Sequence, residues 1–423
     1  MHKKIYFDYL NQQEAYMLYA KLLLRGILLG AFIVSSVQAM VYDNRYFPLL
    51  KRPFLIADGR PSHFASNVFL TTASKAVGPA DEDIGIPELF GKFNLLQLSM
   101  AITKLGLPNP EPSQVRFYEF PFRVEGVIQS QGVEFAYEQA IGDYFKLGVD
   151  CFFMRSVSRQ EFFPDITRLF GIDPIEIDDI RRAMFQEVGM TQAVATQFGF
   201  SDLDIYARVG YTWDYTLKFR RIDAGARFGL LGPTGVQRSI CSPASVPFGG
   251  NGFWGLYGQL DLELEAKEDM SVGAMFRFSK RIPKVKNERL SVEGEPIIFG
   301  ATTGLVKEYP GFTFVFDPYI CLENLRGGLG VRVLYTLTKH YGDVWCDARC
   351  DQTVPVQLSN VPFVTQWESD YFTLNVFYDF GKVKVERGLD PILYFAWDIP
   401  SLMFSSDRSV TTHRISLGIE LNF

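Results

Sequence analysis

Histidine and cysteine are scarce in this chain, four and five of 423 residues, too few for a protein built on several zinc sites. Basic residues do not dominate either. Lys plus Arg number 42 against 48 Asp plus Glu, a net charge of -6, so there is no electrostatic footprint for nucleic acid. The many 20-residue apolar runs of a polytopic helical membrane protein are missing as well. Apolar residues nevertheless reach 47% and charged residues stay at 21%, with a mean hydropathy of +0.03, which excludes a disordered chain. Aromatics and glycine are plentiful: 38 Phe, 20 Tyr, 5 Trp and 36 Gly, a mixture suited to sheets with an apolar outer face and tight turns.

The amino terminus predicts export. Lys21 and Arg25 precede an apolar run from Gly26 to Val34, then Ser35-Ser36-Val37-Gln38-Ala39, with small or tolerated residues three before and at a cut after Ala39. This reads as a signal peptide over residues 1–39, with Met17 as an alternative start and Met40 as the first mature residue. The run is too short to span a bilayer as a helix. No Cys follows the cut, so a lipid-modified terminus is not indicated.

Period-two alternation dominates the rest. Leu203, Ile205, Ala207, Val209, Tyr211 and Trp213 oppose Asp202, Asp204, Tyr206, Arg208 and Thr212; Ile222, Ala224, Ala226, Phe228 and Leu230 oppose Arg221, Asp223, Gly225, Arg227 and Gly229. Leu256, Leu260, Leu262 and Leu264 oppose Tyr257, Asp261, Glu263 and Glu265, and Phe276 and Phe278 oppose Arg277. Val331, Val333 and Tyr335 likewise oppose Arg332. Such alternation means strands with unlike faces. They are long enough for the roughly 9 to 11 tilted residues that cross a bilayer. Short turns, as at Gly142-Asp143 and Asn324 to Gly327, alternate with long loops, as from Ser158 to Gly199 and Ile282 to Pro310. That asymmetry marks an outer-membrane barrel.

The predicted fold is thus all-β, an antiparallel transmembrane β-barrel of about twelve strands with fourteen as the alternative. Residues 114–423 are expected to form the barrel, from strands at Phe117 to Gln129 and Gly132 to Ile141 onward. Residues 40–113 are expected to form a periplasmic or plug segment containing a helix between Pro87 and Leu107. A second helix is expected after Asp173, with Pro174 at its first position. The last strand, with Ile415, Leu417, Ile419, Leu421 and Phe423 in one register, resembles the terminal recognition strand of bacterial outer-membrane proteins. That resemblance implies the barrel-assembly machinery as a partner.

A second resemblance is local. Asp202-Leu203-Asp204-Ile205-Tyr206, then Arg221 to Leu231, then Gly232-Pro233-Thr234-Gly235 are similar to the outer-membrane family of aromatic-degradation (meta-pathway) operons, distantly related to the long-chain fatty acid transporters. The similarity implies a barrel with a strand that exits at a Pro-Thr-Gly turn. The Asn-Pro-Ala hatch motif of the fatty acid transporters is absent, so lipid uptake is not carried over.

If the apolar parity faces lipid, Asp202, Asp204, Arg208, Arg221, Asp223, Arg227, Asp261, Glu263, Glu265, Arg277 and Arg332 line the lumen. Two readings stand side by side: a transverse field across a wet pore, or cross-strand ion pairs that fill a narrow barrel. Asp261, Glu263 and Glu265 are expected opposite Arg277 and Arg281, and Asp202 and Asp204 near Arg221 and Arg227. Cys346 and Cys350 are candidates for a loop disulfide. No metal or cofactor is implied. The main functional reading is a channel for passive diffusion or facilitated uptake of small solutes through a charged lumen. The alternatives are a facilitator of aromatic or other hydrophobic compounds, an outer-membrane hydrolase drawing on His63, His340 or His413, and a structural surface barrel. The expected partners are outer-membrane lipid, a small solute and, as an option, further copies of the chain.

Overall fold

A strand with one greasy face survives in hydrocarbon only if its backbone amides are all paired, and in this molecule the pairing closes on itself. The computed structural model describes residues 44–48, 61–110, 119–165, 173–191, 193–215, 218–383, 390–401 and 406–423. The expected signal peptide, Met40 and the boundary at residue 114 lie outside the described residues. In chain order the strands used below are β1 (Ser62–Ala73), β2 (Pro121–Ile141), β3 (Phe145–Pro164), β4 (Val194–Phe200), β5 (Leu203–Asp214), β6 (Arg221–Gly232), β7 (Gly255–Lys267) and β8 (Met270–Arg281). There follow β9 (Lys284–Leu290), β10 (Thr302–Tyr309), β11 (Phe312–Arg326), β12 (Leu329–His340), β13 (Val344–Asp347), β14 (Trp367–Asp379), β15 (Asp390–Ser401) and β16 (His413–Asn422).

Twelve antiparallel strands form the wall in the order β2, β1, β16, β15, β14, β12, β11, β8, β7, β6, β5, β3, and β3 returns to pair with β2 from Phe145 to Pro164. Two extra strands, β4 and Phe93–Asn94, lean on β3 and β2. The count of twelve is reached by another route than the sequence predicts. The strands expected from Phe117 to Gln129 and from Gly132 to Ile141 are one, β2, 21 residues long, whose ladders to β1 and β3 run through Ser130 and Gln131 without a break, and Pro121 stands at its first residue, where no ladder bond is lost. β1, drawn from the segment expected to be periplasmic or a plug, fills the place between β2 and β16. Its alternation is weak in sequence because its inward residues mix Ala65, Asn67, Phe69 and Thr71.

Side chains sort by parity as a barrel in lipid requires. Val68, Leu70, Phe228, Leu256, Leu260, Ile320, Val333 and Leu417 are exposed on the outer face, whereas the charged residues between them are buried. Aromatic rings gather at the short-turn end, where Tyr144 stacks on Tyr211 at 5.0 Å and Tyr211 meets Trp213 edge-on at 5.1 Å. Such rings suit a membrane interface.

Inside, every wall strand takes part in one joint between an aromatic ring and a glycine directly opposite. The pairs are Phe69 on Gly132, Tyr206 on Gly148, Tyr257 on Gly229, Tyr319 on Gly273, Phe377 on Gly330 and Tyr394 on Gly418. A Cβ added at Gly229 would sit 2.0 Å from the Tyr257 ring, and one at Gly148 would sit 2.1 Å from that of Tyr206. The glycines are thus the sockets that let the rings lie flat along the wall.

At the long-loop end the chain builds a cap. Helix α1 (Leu95–Lys104) and helix α2 (Pro174–Glu187) pack with the β9–β10 hairpin and β13 around Phe93, Leu98, Ile102, Ile177, Met184 and Phe299. Phe93 touches Phe122, Phe162, Phe185 and Phe299 at ring separations of 5.6, 5.8, 5.6 and 5.2 Å. The helix after Asp173 forms as its sequence predicts: the Asp173 carboxylate accepts the Ile175 amide at 2.9 Å and Ile177, Ile180 and Met184 are buried. The buried Arg289 guanidinium donates to the Val188 and Gly300 carbonyls at 3.2 and 2.7 Å, tying the end of α2 to the hairpin and complementing the helix's negative pole. The helix expected as a plug is α1, with N-cap Asn94. It packs in this cap, because its apolar side finds α2 and the loop residues there.

Candidate functional site

The interior charges do not stand free. Arg208 holds the carboxylates of both Asp223 and Asp261, with its Nε 3.0 Å from Asp261, and Thr212 donates to Asp223 at 2.8 Å. Arg221 lies 3.4 Å from Glu263 and 3.6 Å from Glu265, and the Tyr319 hydroxyl also donates to Glu263. Arg227 covers the Tyr206 ring at 3.9 Å and approaches Glu138 at 3.9 Å. Arg277 lies 3.4 Å over the Tyr257 ring and 3.8 Å from Asp204, to which Tyr257 donates at 3.0 Å. Arg332 lies 5.4 Å from the Phe377 ring.

Register explains the choice of partners. Arg208, Arg227, Gln259 and Arg277 stand directly opposite one another across β5, β6, β7 and β8. Adjacent arginines at one level repel, and the acids above and below that level draw each guanidinium away from its neighbour. The expected partnerships are corrected accordingly. Glu263 and Glu265 pair with Arg221, Asp261 pairs with Arg208, and Asp204 meets Arg277 from three strands away.

Asp202 does something else. It sits at the break between β4 and β5, fully buried, and accepts the Gly235 and Gly250 amides at 3.3 and 2.6 Å while Arg281 lies 2.8 Å away. It therefore pins the Pro-Thr-Gly turn and the loop behind it. Sequence reasoning missed Glu138, Tyr206, Tyr257 and Tyr319 as members of this interior. Their signal was their place on the polar parity.

A cavity of about 130 Å³ lies at the long-loop end between the wall and the cap. Its lining includes Arg45, Tyr46, Phe90, Phe253, Glu308, Asp343, Trp345 and Trp367. Part of that lining is the turn Asn44–Pro48, which is buried in the mouth. Arg45 donates to the Thr365 carbonyl at 2.7 Å, Asn44 to Pro247 at 2.7 Å, and Thr412 and Arg414 hold the carbonyls of Tyr46 and Pro48 at 2.6 and 3.0 Å. Among the described residues of the amino-terminal segment, this irregular turn and Phe90 reach the cavity.

Burial lowers the Arg45 guanidinium to about 10. Burial, reinforced by the carboxylates of Asp343 and Glu288, raises the Glu308 carboxyl to about 8. His340 is held between Thr313 at 2.7 Å and Asp343 at 3.1 Å and stacks on Trp367. The other histidines stand elsewhere: His63 meets Asn422 at 2.7 Å near the short-turn end, and His413 is exposed. All five cysteines are free thiols. The expected Cys346–Cys350 staple is absent because Cys346 belongs to β13, paired with Lys307 of β10, and an extended strand carries the chain away from a close return.

The terminal strand lies in the wall between β15 and β1. Ile415 and Leu417 face outward, and Phe423 exchanges two backbone bonds of 3.0 Å with Ser62.

No known family model matches the chain, and no curated protein matches it in sequence. Solved structures match it at low identity. One is the COG4313 outer membrane channel from Pseudomonas putida F1, 10% identical with a TM-score of 0.47, the alignment covering 86% of this chain and 96% of that one. Another is a Pseudomonas aeruginosa FadL homologue, 9% identical with a TM-score of 0.34, covering 86% and 90%. A third is the CymD monoaromatic hydrocarbon channel, 10% identical with a TM-score of 0.30, covering 86% and 89%.

Proposed function

We propose that this barrel is an outer-membrane facilitator for small apolar or amphipathic compounds, with its long loops outside and its short turns in the periplasm. One observation carries the reading: the interior charges are buried against each other, Asp204 being 0% and Arg277 1% exposed. A wide aqueous pore keeps such groups hydrated, and hydrated groups are exposed. Here they close the barrel to bulky hydrophilic solutes. The local resemblance around Pro233-Thr234-Gly235 points to the same class of cargo.

The wall changes its makeup toward the long-loop end. β3 pairs with β5 only as far as Asp150 and with β4 from Phe153 to Arg159, while β6 ends at Gly232, opposite Leu203. Beyond that level loop residues replace a wall strand, with Val236 donating to the Phe200 carbonyl at 3.0 Å. Nothing in this reading requires catalysis. The outer face meets lipid, and Ile415 to Phe423 act as the signal read by the assembly machinery.

Proteoliposomes containing the folded chain are expected to take up toluene faster than empty ones and to exclude disaccharides. A large, steady ohmic current in planar bilayers, with its ion selectivity changed by Arg277→Ala, would overturn the proposal in favour of an open charged channel.

A further inference from the structure

The cavity at the mouth holds polar atoms that have no partner among the described residues. Arg45 Nη1, Trp345 Nε1 and Glu308 Oε2 make no hydrogen bond, although Arg45, Trp345 and Glu308 are 7, 9 and 6% exposed. All three residues line the cavity. Buried polar groups are normally satisfied, so three such atoms around one space describe the complement of a ligand.

Charge narrows the class. The neighbouring cations are matched, Arg238 by Glu288 at 3.0 Å and Arg281 by Asp202 at 2.8 Å. Among the described residues Arg45 has no carboxylate at ion-pair distance. A buried guanidinium without an anion is strongly unfavourable, and the indole N–H of Trp345 can only donate. Both groups ask for an oxygen acceptor, and Arg45 asks for a negative one. Lining narrows it further. The cavity, about 130 Å³ and open on one side, has Phe90, Phe253, Trp345 and Trp367 supplying flat apolar surface.

We infer that this cavity binds one small aromatic monocarboxylate, with its carboxylate on Arg45 and Trp345 and its ring among the aromatic residues. Glu308 fits that occupant. Facing Asp343, Glu288, Lys286 and Arg238, it keeps its proton at neutral pH and offers it to the ligand where an ionised carboxylate would repel one. Asp343 is already engaged by the Gly311 amide at 2.6 Å and by His340. The inference rests on the facilitator reading for its purpose, since it names a cargo class that pauses at the mouth.

The test titrates the full chain, folded in detergent, with benzoate and with toluene, following heat and tryptophan fluorescence. The expected result is saturable one-to-one binding of benzoate, tighter than that of toluene. Arg45→Ala is expected to weaken it about tenfold or more, Trp345→Phe less, and Arg45→Lys to recover part of the loss. The unheated gel mobility of each variant shows that its barrel is closed, and should Arg45→Ala fail to fold, Trp345→Phe and Arg45→Lys decide the matter. A cavity that holds only water gives no saturable benzoate signal with the wild-type chain, and that result overturns the inference. So does benzoate binding that all folded variants leave unchanged. Toluene uptake by proteoliposomes separates the two proposals. Uptake without benzoate binding removes this site alone, whereas benzoate binding without uptake removes the facilitator and leaves the site.

Discussion

The barrel interior and the cap over its mouth both bury their side chains, and they are held together by opposite means. In the interior Arg208, Arg221, Arg227 and Arg277 meet acids and tyrosines. In the cap Phe93 sits among four other phenylalanine rings. The difference follows from where each region's apolar residues are needed. A wall strand shows its apolar parity to hydrocarbon, which gives no hydrophobic gain for turning those residues inward. The remaining parity must fill the lumen with charges that neutralise each other and rings that lie in glycine sockets. The cap stands in water, so burying Phe and Leu there is favourable in the ordinary way.

Removing Arg208 should break the wall most severely. Arg208→Ala leaves Asp223 and Asp261 buried without their cation, a loss of about 3–5 kcal/mol, and urea unfolding of the barrel in detergent should register it. An unchanged midpoint would mean the interior is wetter than its burial indicates. Phe93→Ala should cost about 3–5 kcal/mol by leaving a cavity, but in the cap alone. Protease should then cut the long loops while the barrel keeps its unheated gel mobility. If barrel and cap fail together, the two regions are one cooperative unit.

Gly229→Ala is smaller, about 1–3 kcal/mol for a methyl forced against the Tyr257 ring. Pairing it with Tyr257→Ala should recover part of the loss, and the absence of any recovery would refute the socket. The Glu308 carboxyl is raised from 4.5 to about 8 in the folded chain. Its stabilising contribution is therefore complete below pH 4.5 and is lost as pH rises through about 8. Hydrogen-exchange protection in the cap, relative to the intrinsic rate at each pH, should be lower at pH 9 than at pH 5, and Glu308→Gln should erase that contrast. A cap equally protected at both values would contradict this assignment. Asp173→Ala, which deletes the α2 cap, should cost about 1 kcal/mol, seen as faster exchange in the first turn of α2 only.

Much of this was legible in the residues. The wall strands from Leu203 to Leu337 and the strand ending at Phe423 appear where period two places them, whereas the expected loop from Ile282 to Pro310 holds the β9–β10 hairpin; α2 begins at Pro174 behind its Asp173 cap. β1 was not legible as wall because Asn67 and Thr71 face inward beside Ala65 and Phe69, which blurs the contrast between parities. β2 read as two strands because Gly132 and the polar residues near it imitate a turn. The mouth cavity left no local trace: Arg45 lies more than 200 residues before Glu308 and Trp345, and the three belong to a turn and two loop strands.

Alternation by itself determined which face of each ribbon meets lipid, because side-chain direction in a strand is a local property of the backbone. It determined too that the ribbons close, because hydrocarbon tolerates no unpaired edge. Only the tertiary structure decided which acid each arginine holds, that the amino-terminal turn enters the mouth, and that a single cavity gathers Arg45, Trp345 and Glu308. Those outcomes depend on register and on loops folding back over the barrel, and such distances through space are not written in any short stretch of chain.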